Sequence, residues 1–198
     1  MKKHWKKILV AVIAAAVWFS AYTITNRFFD ELNDKTISRI DEIGVMVEFG
    51  ENKINRIDSS GYSIKIDGVE FYEHEEYCDL IGLAPEDRRT DCDMVAAVTV
   101  TLHNADNESE EAGVLFTELL LHSNTYTFPV AWDMLQTANP LLGEGYGITM
   151  APGMTRQFVI PFVFWESIFP QGALECLEEW DLWLLISSHP EQISIRVQ

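Results

Sequence analysis

The sequence predicts a mainly β protein, an antiparallel sandwich of about seven to nine strands with short helical insertions, preceded by a transmembrane helix and a stalk helix. Three observations predict it. From Val45 onward, short runs rich in Val, Ile, Thr and Phe are separated by clusters of Gly, Pro, Asn and Asp. Residues 1–24 join a lysine-rich head to an uncharged apolar run. All 31 acidic residues lie after that run, beginning with Asp30.

The N-terminal stretch sets the address. Lys2, Lys3, Lys6 and Lys7 surround Trp5, and residues 8–24 carry no charge. As a helix those 17 residues span roughly 25 Å, short of the ~30 Å hydrocarbon core but workable with Trp5 and Tyr22 at the interfaces. A cleaved signal peptide fits less well. Ala14, Ala15 and Ala16 leave only six apolar residues before the cut, and a cut after Ala21 places bulky Phe19 at −3. No cysteine near the end of the run permits lipid attachment. We therefore expect a retained single-pass anchor over residues 1–25. Its four lysines hold the N-terminus in the cytoplasm and leave the remainder outside the cell membrane.

Residues 26–44 follow as an expected helical stalk. Phe29, Leu32, Ile37, Ile40 and Ile43 approximate a helical period with charges between them, and Gly44 is a stop. The sandwich is expected over residues 45–198. Residues 45–49 read as a short strand, and residues 62–72 alternate on both sides of Asp67-Gly68, a hairpin signal. Residues 94–102, 113–122 and 125–130 read as strands, and residues 131–138 as a short helix before Asn139-Pro140. Pro152-Gly153 is a type II turn pair, predicting a hairpin between residues 146–150 and 155–164. Pro161 predicts an edge or a bulge in its second strand. Residues 172–179 read as a short acidic helix, and residues 181–187 and 192–197 as closing strands around His189-Pro190.

Charge narrows the partners. Beyond the anchor, ten basic residues stand against 31 acidic ones, a balance of −21, where the whole chain carries −17. That balance argues against nucleic acid, whose phosphates it repels. It suits an exported domain kept soluble beside an anionic membrane, and leaves cationic partners open. A hydrophobic content of 47% and an aromatic content of 12% argue against disorder. Three cysteines, Cys78, Cys92 and Cys176, rule out a fully paired framework within the chain. Cys78 and Cys92 bracket a polar segment that reads as a long loop, and two readings stay open for them. A disulfide would close about 15 residues and stabilise the fold by roughly 3 kcal/mol in the chain-entropy model. Otherwise both are buried reduced thiols. Cys176 reads as a small hydrophobe on a helix face.

Three segments carry a resemblance. These are residues 95–104 (Val-Ala-Ala-Val-Thr-Val-Thr-Leu-His-Asn), residues 148–162 (Ile-Thr-Met-Ala-Pro-Gly-Met-Thr-Arg-Gln-Phe-Val-Ile-Pro-Phe) and the closing residues 183–197. Together they resemble immunoglobulin-like extracellular domains of unknown function found on membrane-anchored proteins and lipoproteins of Gram-positive bacteria. The likeness covers residues 60–198 and implies an immunoglobulin-like sandwich outside the membrane, with no catalytic residues to carry over. The chain departs from the lipoprotein members in lacking an anchoring cysteine.

The chain carries few residues in patterns that point to chemistry. Residues 73–79, with Asp87, Asp91 and Asp93, gather carboxylates of the kind that bind Ca²⁺, but the glycine and distal glutamate of an EF-hand loop are missing, so a solvated surface is expected. His74-Glu75 lacks a second histidine four residues on, where Cys78 stands, so it is no zinc protease motif. No Gly-x-Ser-x-Gly, Cys-x-x-Cys or phosphate-binding glycine motif occurs. Spacing nominates none of His103, His122 and His189 as a base. Trp132, Trp165, Trp180 and Trp183 are expected mainly in the core, with Trp132 the best candidate for an exposed aromatic that binds glycan or protein.

The expectation is a membrane-tethered extracytoplasmic binding or structural module, not an enzyme, with no cofactor and no metal. Its partners are the membrane, through the N-terminal helix, and an unidentified envelope protein or ligand. The alternative is an accessory subunit of a cell-envelope or secretion complex that assembles through the anchor and stalk helix.

Overall fold

Met94–Asn104 contains neither glycine nor proline and places Ala96, Val98, Val100 and Leu102 on one buried face, so it forms a central strand paired on both sides. The computed structural model describes residues 37–50, 53–54, 57–143, 145–188 and 191–198. The strands are β1 (Ile37–Ile40), β2 (Val47–Glu48), β3 (Lys53–Ile54), β4 (Ile57–Asp58), β5 (Tyr62–Glu73) and β6 (Met94–Asn104). They continue with β7 (Val114–Leu115), β8 (Leu120–His122), β9 (Thr127–Phe128), β10 (Gly147–Ile148), β11 (Thr155–Phe164), β12 (Trp183–Ser187) and β13 (Gln192–Arg196). Among the described residues two α-helices accompany them, α1 (His74–Ile81) and α2 (Trp132–Ala138).

The chain is mainly β, with several antiparallel sheets. One sheet runs β11-β6-β5-β2, another β1-β13-β12-β8-β9, and two ribbons pair β3 with β4 and β10 with β7. Ile64, Ile66, Val98, Val100, Phe158 and Ile160 of the first sheet share one core with Leu121, Leu184, Ile186 and Ile195 of the second. Each such side chain fully buried contributes about 1.5–3 kcal/mol. A second cluster lies on the other face of the first sheet, where Tyr77, Cys78 and Met134 from the two helices cover Val95, Ala97 and Val163.

Several expectations are corrected. Ile37–Ile40, expected in the helical stalk, is a strand parallel to β13, and Arg39 sits over the Trp183 ring at 5.3 Å. The isoleucines that mimic a helical period there also suit an edge strand, and β13 supplies the ladder. The rest of the stalk up to residue 36, and the anchor of residues 1–25, lie outside the described residues. Among the described residues no helix is long and apolar enough to cross a membrane. Residues His189 and Pro190 of the expected closing turn also lie outside them.

Asp67-Gly68 turns no hairpin. β5 runs through it against β6, and the register shifts between Ile66 and Gly68. The extra residue is absorbed as a bulge in which Asp67 pairs with Lys65 of its own strand at 2.6 Å and accepts hydrogen bonds across the sheet from Thr101 and Gln157. The hairpin expected around Pro152-Gly153 is replaced by two separate pairings, β10 with β7 and β11 with β6. A Cβ at Gly147 would lie 2.6 Å from the Val114 carbonyl oxygen, so glycine is what lets β10 approach β7. The apolar stretch 113–122 is broken by a 3₁₀ turn at Phe116–Glu118, and the acidic helix expected at 172–179 is a 3₁₀ segment, Ala173–Glu179. The loop expected after Cys78 begins inside α1, which ends at left-handed Gly82 (φ 73°) with its N–H donating to the Asp79 carbonyl at 3.2 Å.

Candidate functional site

The site is built on an exposed edge. β11 is the outer strand of its sheet, with a row of backbone groups unmatched by another strand. Pro161, which the sequence placed at an edge or bulge, stands in this edge strand. The segment 129–139 covers the row. Val163 donates to the Pro129 carbonyl at 3.1 Å, and Ala131 donates to the Pro161 carbonyl at 2.9 Å. Buried Asn139 completes the cover. Its amide NH₂ donates to the Val159 and Leu135 carbonyls, each at 2.7 Å, while its Oδ1 accepts from the Val159 N–H at 2.9 Å. These bonds lay α2 along the edge. Met134 and Leu135 then face inward, and Trp132, Asp133, Gln136 and Thr137 face outward at helical spacing.

Trp132 is 37% exposed and Tyr146 is 48% exposed, and their rings meet edge-on with centroids 5.0 Å apart. The exposed aromatic expected at Trp132 is thus one half of a pair. Tyr146 reaches it because the Phe116 N–H donates to the Tyr146 carbonyl at 2.9 Å, just before the close approach at Gly147. The two rings line a cleft of about 430 Å³, with Asp87, Arg89, Gln136 and Thr137 in its walls. Arg88 is spent on Asp79, at 2.6 Å, and on Glu75. Among the described residues the Arg89 guanidinium has no ion-pair or hydrogen-bond partner.

Asp133 fixes the opposite wall. It accepts hydrogen bonds from the Arg89 N–H at 2.8 Å, the Thr90 N–H at 3.0 Å and the Thr90 hydroxyl at 2.6 Å. Burial pushes its carboxyl up, but the bonds from Thr90, Arg89 and Met134 together outweigh burial and hold it below the ordinary aspartate value. Nothing in the local sequence announced this contact, which joins residues 43 and 44 positions apart.

A second, larger cleft of about 730 Å³ lies on the other side of the α1–β6 connection. Seven carboxylates line it, including Glu73, Asp91, Asp93, Glu166 and Glu178, above an apolar floor of Phe71, Met94 and Leu177. The carboxylates do not converge. Among the described residues no group of three or more histidines, cysteines, aspartates or glutamates is placed to hold a metal ion. His74 Nε2 is buried here without a partner. His103 contacts the Thr155 hydroxyl at 2.9 Å, and His122 contacts the hydroxyl of fully buried Ser194 at 3.1 Å. Of the other tryptophans, Trp183 is buried, Trp180 packs among Phe128, Phe164 and Phe169, and Trp165 donates to the Asp91 carbonyl.

Cys78 and Cys92 are free thiols in this structure, buried in the same helix-to-sheet cluster. Burial raises the Cys78 thiol and pushes Cys92 up to about 12, so both stay protonated and unreactive at neutral pH. Cys176, expected as a packed hydrophobe, is exposed at a kink in its 3₁₀ segment.

Two outcomes follow from these contacts. In the native protein at pH 8 and under reducing conditions, iodoacetamide labels Cys176, and Cys78 and Cys92 react only after unfolding, as peptide mass mapping reads directly. D133N lowers stability at pH 7 by about 1–3 kcal/mol. The folded pKa of Asp133 is depressed, so its contribution is complete well above the unfolded value of about 3.9 and is lost as pH falls through the folded one. The gap in melting temperature between wild type and D133N therefore closes below about pH 4.

No curated protein and no solved structure matches this chain. A family model does, over residues 42–193, which takes in β2 through β12, the start of β13 and both clefts. The chain belongs to the family described as Domain of unknown function (DUF5028).

Proposed function

We propose that this chain is a membrane-tethered extracytoplasmic binding module without catalysis. The observation that carries the reading is the Trp132–Tyr146 pair, two exposed aromatic rings that meet edge-on in a concave site, Trp132 on the edge-bonded helix and Tyr146 beside β10. Aromatic side chains supply large contact area at small entropic cost, and exposing two of them together is favourable mainly where a ligand covers them. Charge supports the address: four lysines precede the apolar run, and a balance of −21 follows it. Two sheets sharing one core support an immunoglobulin-like reading of the domain, and the composition of residues 1–24 supports the anchor. The non-catalytic reading is supported by thiols raised by burial and by a half-buried His122 whose serine partner, Ser194, is fully buried.

The address is tested with a C-terminal epitope on the full chain in cells stripped of their outer barriers. Added protease removes the epitope and leaves an N-terminal cytoplasmic tag intact. Protection of the C-terminal epitope, or loss of the N-terminal tag, contradicts the reading.

A further inference from the structure

We propose that the Trp132–Tyr146 cleft binds a neutral pyranose oligosaccharide. The inference rests on the binding-module reading and assigns the class of ligand to its site. Pyranose rings present an apolar face of C–H groups and a periphery of hydroxyls that both donate and accept hydrogen bonds. Trp132 and Tyr146 offer an apolar surface of matching kind, with centroids 5.0 Å apart and the rings at 66°. An edge-on pair of this kind gives a sugar a floor and a side wall.

The polar lining fits the periphery. Arg89 supplies donors only, Asp87 acceptors only, Gln136 both, and Thr137, whose hydroxyl donates to the Asp133 carbonyl at 2.9 Å, an acceptor, so neighbouring hydroxyls find either role. Gln136 donates to the Gly145 carbonyl at the outer bonding limit of 3.4 Å, and its amide oxygen stays available. Asp133 also lines the cleft but is committed to the protein. Its two oxygens are occupied by Arg89 and Thr90, and it holds the wall that carries the Arg89 side chain.

Charge and size choose among ligands. An anionic ligand meets Asp87 in the wall and a strongly acidic protein around it, and a cation meets Arg89. A neutral, polyhydroxylated ligand uses both groups without leaving either charge opposed. A cleft of about 430 Å³ lies within the ~300–1,000 Å³ range of small-molecule sites and suits a few sugar units.

The test uses the full chain in nanodiscs, titrated by calorimetry with cellohexaose, chitohexaose and mannohexaose, and with polygalacturonate as an anionic control. At least one neutral hexasaccharide binds, and polygalacturonate does not. W132A and Y146A each weaken binding at least about tenfold with an unchanged melting temperature, whereas W132F retains most of it. Binding of none of the three, or binding that W132A and Y146A leave unchanged, overturns the assignment. A photo-crosslinker at Gln136 in native membranes separates the failures. A protein captured there in place of sugar overturns the ligand class but keeps a binding module, and neither sugar nor crosslink removes both.

Discussion

The side-chain amide of Asn139 bonds the outward-facing backbone of Val159 on both sides, donating to its carbonyl and accepting from its N–H. An edge strand leaves such groups open, and an open row is a template for mispairing. Here Asn139, Ala131 and Pro129 close it, and the helix that links them is α2. Trp132 stands where it does because α2 has little freedom to lie elsewhere. The same amide also bonds the Leu135 carbonyl, so one buried side chain ends the helix and docks it. A buried polar group with its partners satisfied in this way fixes one arrangement where apolar packing alone tolerates several.

The two clefts share a wall and divide the charge between them. The α1–β6 connection sends Asp87 and Arg89 to the aromatic cleft and Asp91 and Asp93 to the acidic one. Between them, Cys78 and Cys92 sit in apolar packing, which keeps the thiols protonated and makes the connection's inner side part of the core. Asp133 ties the connection to α2. The exposed edge, the helix and the loop thus form one mechanical unit, and the aromatic pair lies on its outer surface.

Much of the β architecture was legible in the sequence, because strands such as β6 and β11 are rich in β-branched and aromatic residues and are bounded by turn formers. Pro161 marked an edge, and Trp132 was singled out as the exposed aromatic. The misreadings share a cause. Asp67-Gly68 has the local chemistry of a turn, but β6 pairs along the full length of β5 and turns it into a bulge. Ile37, Ile40 and Ile43 fit a helical period, yet the C-terminal strand β13, some 150 residues on, offers a ladder to the first two. Helix α1 carries Tyr77 and Ile81 four apart and Gly82 at its end, a signal masked by the acidic residues around it. Tyr146 was missed altogether, since its meeting with Trp132 depends on the long-range bond that its carbonyl accepts from the Phe116 N–H.

Amide hydrogen exchange at Val159 in N139A tests the edge-capping role of Asn139 most directly. In the wild type that N–H is protected by Asn139 Oδ1 alone, while the Val163 N–H bonds Pro129 independently. Loss of the amide leaves buried groups unpaired at a cost of about 1–3 kcal/mol, so Val159 is predicted to exchange about 5- to 150-fold faster with Val163 much less affected. Unchanged protection at Val159 would show that the edge is held by other means, and would contradict the placement of α2 and its cleft by this residue.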